Sequence, residues 1–181
     1  MRETPREVLI WQIVKDDLPD NIGITAEEYE YAGWQYQTGM FVFGKNLALA
    51  KKCYTRSAEM GNYKAMMPLA EICYGEQDME GYYHWILEAA LSGDVPKAYL
   101  KLGEMYFEGT YVSNDYRKAY RYFELAAEGK AEGAYYYLGL YLDHGLLERG
   151  DRDEAVRYYL LGAKQYDERC WSRLKELNID F

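Results

Sequence analysis

The sequence is poor in the residues that build disulfides, metal sites and tight turns, since its 181 residues include three cysteines, two histidines and four prolines. Cys53, Cys73 and Cys170 are odd in number and lack Cys-x-x-Cys spacing, which argues against a disulfide framework and a structural zinc site. We therefore expect a cytoplasmic protein whose thiols act as small buried side chains. The few prolines and the 21 tyrosines favour helices with aromatic contacts over a turn-rich β-sandwich.

Long apolar runs and an excess of basic charge are also missing. The longest apolar run near the N-terminus is Val8–Trp11, which is too short for an export signal or a membrane span. The 21 basic side chains are outnumbered by 30 acidic ones, which gives a formal net charge of −9. Because binding to nucleic acid depends on neutralising phosphates, we expect no nucleic-acid partner and no membrane span.

The usual catalytic and metal-binding patterns are absent as well. His84 and His144 belong to no His-Glu-x-x-His pattern, and the sequence has no nucleophile elbow. Asp16–Asp17 and Asp151–Asp153 lack the glycine and the final glutamate of a calcium loop. We therefore predict a protein that is not an enzyme, with no catalytic residue, no cofactor and no metal.

One segment, Gly39–Asn46, fits most of the phosphate-loop pattern G-x-x-x-x-G-K-[S/T]. Asn46 stands where the pattern requires a hydroxyl that binds magnesium, and the segment follows a predicted helix instead of a strand. The repeat described next explains Gly39 as a helix stop and Gly44–Lys45 as the linker to the next helix. We expect no nucleotide binding here.

The strongest pattern is an internal repeat. Ala98–Gly109 recurs as Ala134–Gly145, with the alanine, a Leu-Gly pair and the closing glycine in the same register. Two more divergent copies precede them. The equivalent starting positions are Glu28, Ala65, Ala98 and Ala134. The second copy is shorter, because its connection Gly75–Gly81 lacks the residues present in Gly109–Asp115.

Each copy predicts two helices, because alanine, a leucine four residues on and an aromatic residue near the eighth form one apolar stripe, and a second stripe follows a turn. Asp115 and Asp151 are placed as N-caps of second helices. Gly103 and Gly139 lie inside first helices, where glycine costs about 1 kcal/mol relative to alanine, so we expect close helix packing there. Pro68 is expected to kink or shorten its helix.

These residues resemble the Sel1-like repeats, which are relatives of the tetratricopeptide repeats. The third copy matches best, at Ala98, Leu102, Gly103, Tyr106, Gly109, Val112, Asp115, Lys118, Ala119, Tyr122, Phe123, Ala126 and Ala127. It departs from the family pattern at Tyr111, where the family usually has glycine, and at Gly129, which comes one residue early. In the family register, the three cysteines replace core residues.

The resemblance implies an all-α fold, a right-handed α-solenoid of about four Sel1-like helix pairs with N- and C-terminal capping helices. Residues 1–24 would form the N-terminal capping helix and a linker. That helix would begin at Thr4, Pro5 and Glu7 and be stopped by Pro19. Residues 25–167 would form the repeat array, and residues 168–181 the C-terminal capping helix. The four repeats would cover about 28–64, 65–97, 98–133 and 134–167.

By resemblance to tetratricopeptide geometry, the first helix of each repeat lines a concave groove. Its non-core positions are the predicted partner-binding residues: Glu27, Glu30, Trp34, Gln37, Lys64, Met67, Glu71, Tyr74, Lys97, Leu100, Glu104, Phe107, Glu108, Tyr136, Leu140, Asp143 and His144. Acids outnumber lysines in this set, and an aromatic residue stands at each level. Our hypothesis is an acidic, aromatic-lined groove for a basic or amphipathic segment of another protein.

We interpret the sequence as a non-catalytic protein-interaction module and scaffold, acting as an adaptor, a regulator or an inhibitor such as a toxin-neutralising immunity protein. The alternative is an enzyme or small-molecule binder that uses Glu104, Asp143 or His144, which a deep closed pocket would favour. A third possibility is self-association through the C-terminal cap, where we expect Trp171 to be exposed. The oligomeric state and the partner stay open.

Overall fold

The computed structural model describes residues 6–15, 23–40, 44–93, 95–147 and 150–179. Among these residues, every element of regular structure is a helix, which confirms the predicted all-α class. The helices are α1 (Arg6–Lys15), α2 (Ala26–Thr38), α3 (Leu47–Glu59), α4 (Tyr63–Gly75), α5 (Met79–Gly93), α6 (Pro96–Glu108), α7 (Tyr116–Glu128), α8 (Ala134–His144), α9 (Arg152–Lys164) and α10 (Glu168–Glu176). The predicted helix start at Thr4 and Pro5, the side chain of Glu7 and the stop at Pro19 lie outside the described residues.

The chain divides into two compact units, Met1–Gly93 and Asp94–Phe181. In the first unit, α2 pairs with α3 and α4 with α5, while α1 packs on α2 and α3. In the second unit, α6 pairs with α7 and α8 with α9, and α10 packs on α9 and α8. Each unit therefore contains two of the predicted helix pairs and one additional helix.

Side-chain caps fix where the second helices begin. Asp115 accepts a hydrogen bond from the backbone N–H of Lys118, and Asp151 accepts one from the N–H of Glu154, both at 3.0 Å. These bonds satisfy donors that a helix start would otherwise leave unpaired, and they confirm both predicted N-caps.

The segment that resembles a phosphate loop is a helix end followed by a helix cap. Gly39 ends α2 in the left-handed conformation, at φ 78°. Asn46 caps α3 by accepting a hydrogen bond from the N–H of Leu49 at 3.0 Å. Gly39 and Asn46 therefore have structural roles that require no nucleotide.

The second repeat bears on two predictions, the shortened connection and the effect of Pro68. Its helices are joined by three residues, Glu76–Asp78, so the shortened connection is confirmed. Pro68 does not shorten α4, which has 13 residues like α2. Leu69 and Ala70 beside it are fully buried, so packing outweighs the loss of one backbone hydrogen bond.

Glycines in the first helices give room to rings from the second helices. A Cβ atom added to Gly33, Gly103 or Gly139 would lie 2.7, 2.5 or 2.6 Å from the nearest ring atom of its partner. The partner rings belong to Tyr54, Phe123 and Tyr159, respectively. These contacts confirm the expected close approach at Gly103 and Gly139.

The second repeat replaces this arrangement. Ala70 stands at the glycine position and Ile86 at the ring position, and both are fully buried. Compared with the other repeats, the second repeat thus has a larger residue on its first helix and a smaller side chain on its second helix. The two helices of a repeat conserve the volume between them by changing both positions.

Two departures from the family pattern coincide with unusual backbone conformations. Tyr111, where the family usually has glycine, has a φ of 65°. After α7, the left-handed position falls on Lys130 at φ 60°, one residue beyond Gly129, whereas the equivalent turn after α3 has Gly61 at φ 88°. Only glycine adopts this conformation without a steric cost.

Candidate functional site

The predicted groove residues lie on the first helix of each pair, in two sets that belong to different units. The N-terminal face comprises Glu27, Glu30, Trp34 and Gln37 of α2 with Lys64, Met67, Glu71 and Tyr74 of α4. The C-terminal face comprises Lys97, Leu100, Glu104, Phe107 and Glu108 of α6 with Tyr136, Leu140, Asp143 and His144 of α8. Most members of a set are three or four residues apart along the helix, which places them on one side of it.

The N-terminal face presents exposed aromatic rings. The side chain of Trp34 is 38% exposed and stacks on Tyr31, with ring centroids 5.8 Å apart. Tyr74 is 61% exposed and leans against Tyr82, with centroids 5.1 Å apart. Both rings are held from one side and open on the other, which is the arrangement of an interface anchor.

Tyr54 of α3 is influenced by polar groups of both α2 and α4. The hydroxyl of Tyr54 donates to Oε1 of Gln37 at 2.8 Å. Burial raises the pKa of Tyr54, and the negative charges of Glu30 on α2 and Glu71 on α4 raise it further. The two carboxylates therefore act on the same hydroxyl, although they come from different repeats.

Among the predicted contact residues of the N-terminal face, three acids accompany one lysine. Among the described residues, no ion pair involves Glu27 or Glu30. Lys64 is the basic residue in this set, and it is exposed. A cation that approaches this face therefore meets the carboxylates of Glu27 and Glu30, which form no ion pair with the described part of the chain.

On the C-terminal face, two predicted contact residues belong largely to the core. Leu100 is buried. Phe107 packs on Phe123, Tyr137 and Tyr141, with centroid distances of 6.5, 5.8 and 5.7 Å. The ring of Phe107 therefore stabilises the packing of α6 on α7 and α8, and the predicted role in partner binding is untested.

Two acids of the C-terminal face are bonded to the chain's own cations. Oε2 of Glu104 lies 2.6 Å from Nζ of Lys101, and the hydroxyl of Tyr137 donates to Oε1 of Glu104 at 3.4 Å. Burial and the charge of Glu104 raise the pKa of Tyr137 to about 12. The acidic character predicted for the whole groove is therefore reduced in this unit.

The second of these acids, Asp143, is only 9% exposed. Its Oδ2 accepts hydrogen bonds from Nη2 and Nε of Arg173 at 2.6 and 2.8 Å, and from the hydroxyl of Tyr159 at 3.3 Å. Because Glu104 and Asp143 are both occupied, the geometry favours a scaffold over the alternative in which they act on a substrate.

The arginines of α10 are the main feature that the sequence reasoning missed. Arg169 stacks over the rings of Tyr136 and Tyr137, with its guanidinium carbon 4.6 and 5.4 Å from their centroids. The sequence contains a signal for these arginines in the repeat register of α10. With Cys170 in the alanine slot of the repeat, Arg169 and Glu176 take the positions that Lys97 and Glu104 occupy in the third copy.

Three predicted residues of α8 line a pocket of about 480 Å³ between α8 and α10. They are Tyr136, Leu140 and His144, and the opposite wall includes Arg169 and Ser172. Of the predicted C-terminal set, the structure brings these three together around one concave feature.

The other groups with possible chemical or membrane roles are the cysteines, clusters of metal-binding side chains and apolar helices. Cys53, Cys73 and Cys170 are free and buried, and burial raises the pKa of each thiol. In the described ranges, no group of three or more His, Cys, Asp or Glu side chains could hold a metal ion. None of the described helices has both the length and the apolarity needed to cross a membrane.

Paired helices, glycine-ring contacts and a set of exposed residues on the first helices define a helical repeat protein. The Sel1 repeat pattern matches residues 28–62, 96–130 and 133–167, which is more than half of the chain. The protein therefore belongs to the Sel1 repeat family. Members of this family are α-solenoids that typically serve as protein-interaction modules and as non-enzymatic scaffolds.

Solved structures support the same assignment. A Sel1 repeat protein from Oxalobacter formigenes is 26% identical, with a TM-score of 0.77 over 93% of this chain and 69% of that chain. A protective antigen of uropathogenic Escherichia coli with an SLR fold also has a TM-score of 0.77, at 24% identity, over 84% of this chain and 33% of that chain. The second likeness concerns the fold alone.

A curated relative is the chitin synthase regulator SKT5 of Saccharomyces cerevisiae, which is 32% identical over 99 residues. The match covers 51% of this chain and 14% of the yeast protein. The chain therefore corresponds to a small part of that regulator.

Proposed function

We propose that this protein is a non-catalytic adaptor or regulator in the cytoplasm and that its N-terminal face binds a basic or amphipathic segment of a partner protein. The observation that carries the proposal is the combination on one face of exposed rings, Trp34 and Tyr74, with carboxylates that form no ion pair within the described part of the chain, Glu27 and Glu30. The yeast relative, named as a regulator of an enzyme, supports the regulatory role.

The rings and the carboxylates contribute to binding in different ways. Partly exposed rings lose little conformational entropy when a partner covers them, so they can supply most of the affinity. Carboxylates attract a basic segment over several ångströms and mainly raise the rate of association. The free cysteines, all buried, are compatible with a reducing compartment.

The affinity part of the proposal is tested with peptides selected from a random phage-displayed library on the wild-type protein. We expect enriched peptides to contain Arg or Lys near an apolar residue. Trp34→Ala and Tyr74→Ala should each weaken binding of such a peptide by about tenfold or more. Leu91→Ala, which also removes an exposed apolar side chain in the same unit, is the control. Equal affinities for Trp34→Ala and Leu91→Ala would overturn the proposal.

The electrostatic part has its own matched pair of variants. Glu30→Lys and Glu59→Lys change the net charge equally, but Glu59 lies on the second helix of the repeat. At low salt, Glu30→Lys should slow association by about tenfold, and high salt should remove the difference. If both variants slow association by the same factor, only the net charge matters and the N-terminal face is not the site.

A further inference from the structure

The pocket between α8 and α10 has features that the acidic groove does not explain. It lies within the C-terminal unit, and its walls carry Tyr136 and Leu140 from α8 and Arg169, Ser172 and Arg173 from α10. A pocket with two arginines would ordinarily be read as an anion site. The hydrogen bonds of these arginines to carboxylates argue against that interpretation.

Each guanidinium is already bound to carboxylates of its own chain. Arg169 donates from Nε and Nη2 to the two oxygens of Asp167, at 3.1 and 2.9 Å. Arg173 donates from Nε and Nη2 to Asp143 and from Nη1 to Glu176, at 2.8, 2.6 and 2.7 Å. All three nitrogens of Arg173 are therefore occupied, and Asp167 takes the Nε–Nη2 edge of Arg169, one of the two edges at which it can bind a carboxylate or a phosphate.

Two neighbouring residues restrict the position of the Arg169 side chain. Its partner Asp167 is 5% exposed and also caps α10, so the carboxylate cannot swing away. Gly133 has a φ of 92°, and a Cβ atom there would collide with Nη2 of Arg169. The guanidinium is thus held over Tyr136, while its side chain stays 45% exposed.

A guanidinium group is planar, so one that ion pairs hold in place presents a flat surface to an incoming ring. Guanidinium planes stack on aromatic rings, and the guanidinium of Arg169 already lies over the rings of Tyr136 and Tyr137. Leu140 adds an aliphatic wall and His144 an imidazole. The lining also includes Glu168 and Glu176, so two carboxylates balance its two guanidinium groups. A pocket with balanced charges and a planar group complements an uncharged ring better than an ion.

We propose that the pocket between α8 and α10 takes an uncharged aromatic side chain, above all an indole, from a partner peptide. The volume of about 480 Å³ holds such a side chain together with its adjoining main chain. The inference rests on the proposed function, because it names a side chain of the same kind of partner. The two proposed sites then bind different groups of the partner. The N-terminal face binds cations, and this pocket binds a neutral ring.

The test uses three capped tripeptides, Ac-Ala-Trp-Ala-NH₂, Ac-Ala-Arg-Ala-NH₂ and Ac-Ala-Glu-Ala-NH₂, titrated into ¹⁵N-labelled protein. We expect the Trp peptide to shift amide signals of α8 and α10 and to bind about tenfold more tightly at this pocket than the other two. Tighter binding of the Glu peptide would show an anion site, and tighter binding of the Arg peptide an acidic one. Either result, or Trp-induced shifts confined to the N-terminal unit, would overturn the inference.

Two variants separate a role in binding from a role in folding. Arg169→Lys keeps the charge but removes the planar group, so Trp-peptide binding should weaken about threefold or more, while Arg157→Lys on α9 leaves it unchanged. Ser172→Trp places an indole in the pocket without removing an arginine, so it should block the Trp peptide and leave α10 folded. Unimpaired Trp binding in the Ser172→Trp variant would refute the inference.

The outcome is independent of the test at the N-terminal face. If the pocket variants have no effect while Trp34→Ala still weakens the selected peptides, only this inference fails. If Trp34→Ala and Glu30→Lys have no effect on those peptides, the proposed function fails.

Discussion

The hydroxyl of Tyr54, on the second helix of the first repeat, donates a hydrogen bond to Gln37 on the first helix at 2.8 Å. In the fourth repeat the equivalent tyrosine, Tyr159, donates to Asp143. In the third repeat the ring position is Phe123, which has no hydroxyl, and the residue opposite it is Phe107. The first helix thus carries a polar side chain where the facing ring of the second helix has a hydroxyl. It carries an aromatic ring where the facing ring has none.

This relationship means that the second helices influence the predicted binding faces. Gln37 and Asp143 are each four residues beyond the glycine that admits the ring. Because the ring passes the first helix at the glycine, its hydroxyl reaches the side on which the predicted contact residues lie. The second helices therefore orient part of the polar groups on these faces.

The packing at Gly103 predicts a loss of stability on adding one methyl group. The Cβ atom of Gly103→Ala would lie 2.5 Å from Phe123, whose ring stacks on Tyr137 with centroids 4.3 Å apart and cannot easily move. Overpacking should cost about 1–3 kcal/mol and exceed the gain of about 1 kcal/mol in helix propensity. Urea unfolding measures the difference.

The second repeat supplies the rescue for that variant and Gly75 supplies its control. Phe123→Ile in the Gly103→Ala background recreates the Ala70 and Ile86 combination, so the double variant should be more stable than the sum of single effects. Gly75→Ala, with nothing within 4 Å of its new Cβ, should cause no loss. Strict additivity would contradict the idea that the two positions share one volume.

The two carboxylates bonded to Arg173 should differ in their contributions to stability. Asp143 is 9% exposed and also accepts from Tyr159, whereas Glu176 is 63% exposed. Asp143→Ala should cost about 1–3 kcal/mol because it leaves buried donors without a partner. Glu176→Ala should cost less than about 0.5 kcal/mol. Equal losses in urea unfolding would show that burial of Asp143 contributes nothing.

The cap at Asn46 gives a prediction about both stability and nucleotide binding. Asn46→Ala should cost about 1 kcal/mol, since the N–H of Leu49 loses its acceptor, whereas Asn46→Ser should be close to wild type. Asn46→Ser also completes the phosphate-loop pattern in the sequence. Calorimetry with Mg-ATP should detect no binding to this variant, and measurable binding would show that the segment is more than a helix cap.

Alkaline pH should destabilise the fold through its buried acids. Burial raises the pKa of Cys53 and of Cys170 to about 12, and that of Tyr137 to about 12, above their ordinary values of about 8.5 and 10. The folded state therefore holds these protons more tightly than the unfolded state.

The sign of the effect follows from that difference. Their contribution to stability is fully present below about pH 8.5 and is lost as pH rises from there towards 12. Urea midpoints between pH 7 and 10.5 should stay level and then fall, with a shallower fall for Cys53→Ala. Midpoints that stay constant to pH 10.5 would contradict the assigned burial.

The fold could be predicted from the sequence because its repeat encodes local rules several times over. Asp115 and Asp151 cap helices, and Gly103 and Gly139 admit rings, and each of these is visible in the residue type and its register. Pro68 does not shorten its helix, because helix propensity does not include the burial of its neighbours.

The candidate site was less predictable, because periodicity gives the side of a helix and not what lies above it. Trp34 and Phe107 are both aromatic residues of first helices, yet Trp34 is exposed and Phe107 packs into a ring cluster. The neutralisation of Asp143 needed Arg173, which is distant in sequence. Only the three-dimensional arrangement shows such pairing.

The left-handed residues Tyr111 and Lys130 mark two turns at which a substitution would raise the stability of the fold. Each holds a conformation that costs a non-glycine residue about 1–2 kcal/mol, at turns where glycine would be free of that cost. A version with glycine at both turns would tolerate more disruptive changes elsewhere. It would therefore be a suitable background in which to redesign the two faces for new partners.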